Sequence, residues 1–159
     1  MTKIGPGTTK IVVMSVGLKH LTYPPDAHRL VKRRTRDLCA LVATSQLVID
    51  VSGLPNPHYV EELRPLTGRD EAVGRFLAQC PETLELLGFT RDKLGILLAG
   101  YQQRGNNHGT VTVVFRCTGG KHRSQFFAEQ AKLMVEEIVD GWVEPVKVEV
   151  RHVRDERGD

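Results

Sequence analysis

Apolar residues along this chain gather into four short Val- and Ile-rich runs, separated by longer stretches in which they recur every three or four positions. The runs KIVVMSVGL (10–18), LVIDVSGL (47–54), TVTVVFRCT (110–118) and EPVKVEVRHV (144–153) are each bounded by turn residues and predict strands. The first three are nearly continuous in apolar character, as expected of strands buried on both faces. The fourth alternates through Val146, Val148 and Val150, which suits a sheet edge.

Between the runs the period changes. Leu30, Val31, Leu38, Leu41 and Val42 share one side of a helix over 29–45, a stripe expected to face inward. Helices are also predicted over 70–79 and 82–104, with a Gly-Asn-Asn-His-Gly turn (105–109) after the second. Beyond Lys121, Phe127, Ala131, Met134 and Ile138 mark the buried face of another helix, and Gly141 stands where its C-terminal cap belongs. Strand–helix alternation predicts an α/β fold, a single layer of mostly parallel sheet of about four strands flanked by helices. Residues 10–154 form the expected domain, with 1–9 a flexible N-terminus and 155–159 a disordered tail. Strand order is not readable from the pattern.

Composition narrows the class. A chain of 159 residues, 40% apolar and 26% charged, is one globular domain with a core. The formal charge of +3 suits an anionic ligand without requiring one. No apolar run approaches the roughly 18 residues of a membrane helix, and no signal-peptide pattern is present, so no membrane association is expected. Cys39, Cys80 and Cys117 are an odd number without CxxC spacing, which fits a reducing, cytoplasmic setting. The six histidines show no zinc spacing, and neither metal nor cofactor is expected.

Candidate chemistry concentrates in CTGGKHRS (117–124), between the third strand and the helix that follows. In an open α/β sheet, ligands sit at the carboxyl ends of strands. Gly119 and Gly120 allow positive φ and an anion-binding nest, and the helix starting near Lys121 or His122 adds free N–H groups. Arg123 offers a planar fork to a phosphate, with Lys121 and His122 as further donors. The loop also fits a second chemistry. Cys117, Arg123 and Ser124 have the Cys-x5-Arg-Ser spacing of cysteine-dependent phosphatases, in which a thiolate attacks phosphorus and the serine helps it leave. Such an enzyme needs an acid for the leaving oxygen. Asp50 and Asp70 are available, although nothing in the sequence ties either to the loop.

Two more strand ends carry polar side chains. SVGLKH places Lys19 and His20 where the first strand ends, and Pro55 and Pro57 after the second hold Asn56 and His58 in a stiff turn. Leu66, Thr67 and Gly68 read as a turn leading into a helix. Three polar, basic loops at one sheet edge predict a pocket.

The segments SVGLKH, LPNPHY, LRPLTGRD and CTGGKHRS resemble, in order and spacing, those of the RapZ C-terminal domain, over most of residues 10 to 154. Complete members of that family carry an N-terminal P-loop domain, and no Walker A pattern occurs in this sequence. The family is known as an adapter that presents a small regulatory RNA to a ribonuclease and senses glucosamine-6-phosphate. The resemblance therefore implies a non-enzymatic phosphometabolite sensor. It further implies a pocket lined by Lys19, Asn56, His58, Thr118, Gly119, Gly120, His122 and Arg123. His20, Arg64, Thr67, Gly68, Lys121 and Ser124 would support it, and Cys117 would be a small buried residue. The family pattern has Arg where Ser52 stands and Gly where Arg116 stands, and its connection over 23–46 is shorter.

That longer connection contains RLVKRRTR, in which Arg29, Lys32, Arg33, Arg34 and Arg36 would lie on an outer helix face. Such a face is more simply a solvated surface, paired in part with Asp37 and glutamates, and could also bind RNA phosphates. The basic RHVR segment (151–154) would extend it. A ribonuclease partner, a homo-oligomer and a separate nucleotide-binding chain all stay open at this point.

Overall fold

The structure, a computed structural model, describes residues 8–103 and 109–158. Residues 1–7, most of the expected flexible N-terminus, and 105–108, most of the expected turn, lie outside the described residues. Strand β1 (Thr9–Gly17) leads through a 3-10 turn (Leu18–Leu21) to helix α1 (Arg29–Ala43) and strand β2 (Leu47–Asp50). Helices α2 (Glu71–Ala78) and α3 (Pro81–Gln103) precede strand β3 (Thr110–Cys117). Helix α4 (Arg123–Val139), strand β4 (Val146–His152) and a short helix α5 (Val153–Arg157) complete the chain. The four strands form one wholly parallel sheet in the order β2-β3-β1-β4.

The side-chain alternation of β1 divides the core. Ile11 and Val13 face a large apolar cluster with Val111, Val113 and Phe115 of β3 and Phe127, Ala131 and Met134 of α4. Val12, Met14 and Val16 face the other way, toward Leu38 of α1 and Val153 of α5. The central strands β1 and β3 are thus buried on both faces, as their unbroken apolar runs foretold. β2 is not. It has four residues and one neighbouring strand, and Val48 is 40% exposed, so its apolar run reflects an edge strand. β4 is the other edge, and its three valines are half-buried.

Two further expectations change in detail. On α1, Leu38 is buried and Leu41 and Val42 are half-buried, but Leu30 and Val31 are 57% and 42% exposed. The first turn of α1 runs past the edge of the apolar cluster, and Thr35 takes the inward position. Residues 155–157, read as tail, end α5, where Arg151 clasps Glu156 through two bonds of 2.8 and 3.0 Å and Arg69 meets Asp155 at 2.7 Å. Gly141 adopts φ 80°, as expected of the residue past the end of α4.

The topology positions the site. From β1 the chain leaves for α1 on one face, whereas from the adjacent β3 it leaves for α4 on the other. Neighbouring strands whose connections diverge open a crevice at their carboxyl ends.

Candidate functional site

The turn 117–122 fills that crevice, and glycines allow it to sit so close. Gly17 pairs with Cys117 at the end of the β1–β3 ladder. Gly120 lies at φ 70°, and a Cβ there would stand 2.6 Å from the Gly17 nitrogen. Gly119 does not share this conformation: of the glycine pair only Gly120 has positive φ. Beneath the turn, Gly120 N–H donates to Cys117 Sγ at 3.2 Å, and Ser124 Oγ lies 3.2 Å from the same sulfur. His20 is buried and its Nδ1 accepts the Gly17 N–H at 2.9 Å, which puts any proton of the neutral ring on Nε2.

The loop after β2 closes the second wall. Asn56 Oδ1 accepts the His58 N–H at 3.1 Å and caps the 3-10 turn Pro57–Tyr59, as the Pro-Asn-Pro corner suggested. Arg64 Nε donates to the His58 carbonyl at 2.9 Å, and Lys121 Nζ donates to the Arg64 carbonyl. Gly68 N–H donates to the Lys121 carbonyl at 2.9 Å, locking this loop to the turn before α4. Arg123 is 95% buried, being 5% exposed, and its Nη1 donates to the carbonyls of Ser52 and Leu54, the latter at 2.9 Å. The fork expected to face a phosphate is, through that nitrogen, a tether across the loop.

Between these walls lies a cleft of about 400 Å³ lined by Asn56, His58, Tyr59, Arg64, Cys117, Thr118, Gly119, Lys121, His122, Arg123 and Arg154. Four cations and two histidines line it, without a carboxylate. Lys121 is held below the usual lysine range, first by desolvation and then by repulsion from Arg154 and Lys19. His122 is buried, and its Nε2 donates to the Leu63 carbonyl at 3.1 Å. Burial, then the Lys121 charge, pushes its pKa below 6.5, although the carbonyl bonds pull the other way. An unfolded chain thus binds a proton at this histidine more readily than the folded one. Stability from the neutral ring is complete above pH 6.5 and is lost as pH falls through the depressed folded value. Melting followed from pH 7.5 downward is expected to show this loss, and His122→Gln to flatten the profile.

The expected site residues divide. Asn56, His58, Thr118, Gly119, His122 and Arg123 line the cleft, as do Arg64 and Lys121. Lys19 stands at its edge, its N–H directed at the Thr118 carbonyl at 3.5 Å. Gly120, His20 and Ser124 lie behind the turn, Gly68 packs beneath α4, and Thr67 donates through its N–H to Asp70 at 2.7 Å. Asp70 is therefore a turn former, and Asp50 pairs with Arg116 at 3.2 Å, so neither candidate acid lines the cleft. Tyr59 and Arg154 were missed as pocket residues. Only the β2–β3–β1–β4 order, invisible in the pattern, brings the end of β4 near the turn after β3. On α1, Arg29, Arg33, Arg34 and Arg36 are exposed, while Lys32 bonds the Pro25 carbonyl at 2.6 Å and lies over the Tyr23 ring.

Two other arrangements are set aside on charge and burial. A larger cleft of about 590 Å³ between α2 and α4 contains Asp70, Glu71 and Glu129, and its arginines are paired, Arg69 with Asp155 and Arg75 with Glu71. Ser15, His152 and Glu129 form a serine–histidine–carboxylate row with contacts of 2.6 and 2.7 Å. Ser15 is fully buried in the middle of β1, so this row joins β1, β4 and α4 without presenting a nucleophile.

The fold and cleft define a parallel α/β domain with a cationic pocket at the carboxyl ends of its strands, lined by the segments after β2, β3 and β4. The RapZ C-terminal domain family model matches residues 9–154, and the chain belongs to that family. Among curated relatives, a nucleotide-binding protein of Methylibium petroleiphilum is 49% identical over 86 residues, covering 54% of this chain and 28% of the relative. A nucleotide-binding protein of Thiobacillus denitrificans is 39% identical over 132 residues, covering 79% of this chain and 38% of the relative. Another, from Acidothermus cellulolyticus, is 46% identical over 90 residues, covering 57% and 28%. The chain thus spans well under half the length of these relatives. No helix among the described residues is long and apolar enough to cross a membrane.

Proposed function

We propose that this domain is a non-enzymatic regulatory module that binds a phosphorylated small molecule, an amino-sugar phosphate such as glucosamine-6-phosphate, in the cleft after β3. The supporting observation is the charge of the lining: Arg64, Lys121, Arg123 and Arg154 with no carboxylate among them. Asn56, His58 and Tyr59 supply the polar and aromatic groups that a sugar ring needs. The exposed arginines of α1 are the surface proposed for RNA phosphates in an adapter role toward a ribonuclease, an interaction that salt would weaken. The relatives' name suggests a nucleotide as the competing phosphate ligand.

A second reading, phosphoryl transfer to Cys117, is favoured by the Gly120 N–H and Ser124 hydroxyl gathered at its sulfur. Against it stand the 2% exposure of Cys117 and the lack of an acid in the lining. Phosphorus NMR of glucosamine-6-phosphate, and separately of adenosine monophosphate, incubated with the protein for hours distinguishes the readings. The sugar phosphate signal is expected to shift or broaden and to persist. Conversion to inorganic phosphate would establish the enzyme instead, and a response to the nucleotide alone would replace the ligand class.

A further inference from the structure

Resting on the reading of the cleft as a phosphate site, we propose that Arg154 is a ligand-binding residue and that it seats the phosphate together with Lys121, leaving Arg123 to hold the wall. Arg154 lies in the first turn of α5, directly after β4, a strand that none of the other lining residues follows. Its backbone is fixed from three sides. Val153 before it is buried in the apolar cluster under α1, Asp155 after it pairs with Arg69, and Glu156 is clasped by Arg151. The side chain, half-buried, lines the same cleft as Lys121.

Charge carries the argument further. Among the described residues no carboxylate pairs with Arg154 or Lys121, whereas the neighbouring Arg69 and Arg151 are paired with the α5 carboxylates Asp155 and Glu156. Two like charges facing one cleft repel, and after desolvation the Arg154 charge is the next cause that lowers the pKa of Lys121. A phosphate between them converts that repulsion into two charge-assisted contacts. Arg123 is less free to serve this way, because its Nη1 already bonds two carbonyls.

Isothermal titration with glucosamine-6-phosphate, using the full chain and the variants Arg154→Gln and Arg157→Gln, tests the assignment. Arg157 is exposed on the same helix outside this cleft and controls for net charge. The expected result is that Arg154→Gln weakens binding by roughly tenfold or more without changing the melting temperature, while Arg157→Gln stays within about twofold. The Arg154 Nε–H resonance is also expected to shift on titration. Wild-type binding with Arg154→Gln within about twofold of it would overturn this inference and leave the phosphate site standing. Equal losses in both variants would show a long-range field rather than contact and overturn it as well. Absence of wild-type binding would overturn both this inference and the proposed function.

Discussion

Replacing Gly68 by Ala is expected to lower unfolding free energy by about 2–4 kcal/mol and to abolish ligand binding, a larger loss than ordinary overpacking. A Cβ at this position would stand 2.1 Å from the His122 carbonyl oxygen and 2.3 Å from the Phe126 nitrogen. Both are backbone atoms of α4's first turn, joined to each other by a hydrogen bond of 3.0 Å, so neither yields as a flexible side chain would. Relief requires the 60–70 loop to move away from α4. That motion breaks the 2.9 Å bond from Gly68 N–H to the Lys121 carbonyl and displaces Arg64 and Lys121 in the cleft. Gly53→Ala is the control, since a Cβ there meets nothing within 4 Å and should leave the urea midpoint nearly unchanged. Urea unfolding of the two variants, compared at constant m, measures the difference. A Gly68→Ala protein as stable as wild type would mean that this loop does not close on α4 as described.

Gly68 also illustrates how far the sequence could be read. LRPLTGRD was visible as a turn into a helix, and Thr67 and Asp70 do build that turn. The reason for a glycine was not visible, because it lies in a contact with residues more than fifty positions away. The same division holds elsewhere. Elements whose pattern expresses local geometry, such as the α4 stripe of Phe127, Ala131 and Met134, appear where the periodicity put them. Properties set by neighbours do not. The exposure of Val48 follows from β2 having one partner strand, and the exposure of Leu30 from α1 overrunning the apolar cluster. CTGGKHRS was legible as a basic, glycine-bearing turn at a strand end, and most of it does line the cleft. The diversion of Arg123 Nη1 to carbonyls and the arrival of Arg154 depended on strand order.

Arg123→Ala is the second change with a large expected effect, and its two consequences separate the roles of the residue. Its Nη1 spans from the first turn of α4 to the carbonyls of Ser52 and Leu54, in a position only 5% exposed. Truncation removes two charge-assisted bonds and leaves carbonyl oxygens without their donor. The expected cost is about 2–4 kcal/mol of folding stability. Affinity for glucosamine-6-phosphate is expected to fall by about a hundredfold, because the Asn56–His58 wall loses its anchor and the cleft loses a charge. Arg123→Lys separates charge from tether. A lysine keeps the positive charge but has a single nitrogen and no planar fork, so it should recover little of the urea midpoint. If the charge alone mattered, lysine would restore affinity close to wild type while stability stayed low. If the tether matters, as the carbonyl bonds indicate, affinity and stability fail together in both variants. An Arg123→Ala protein with an unchanged urea midpoint would refute the tether, and unchanged affinity would remove Arg123 from the site.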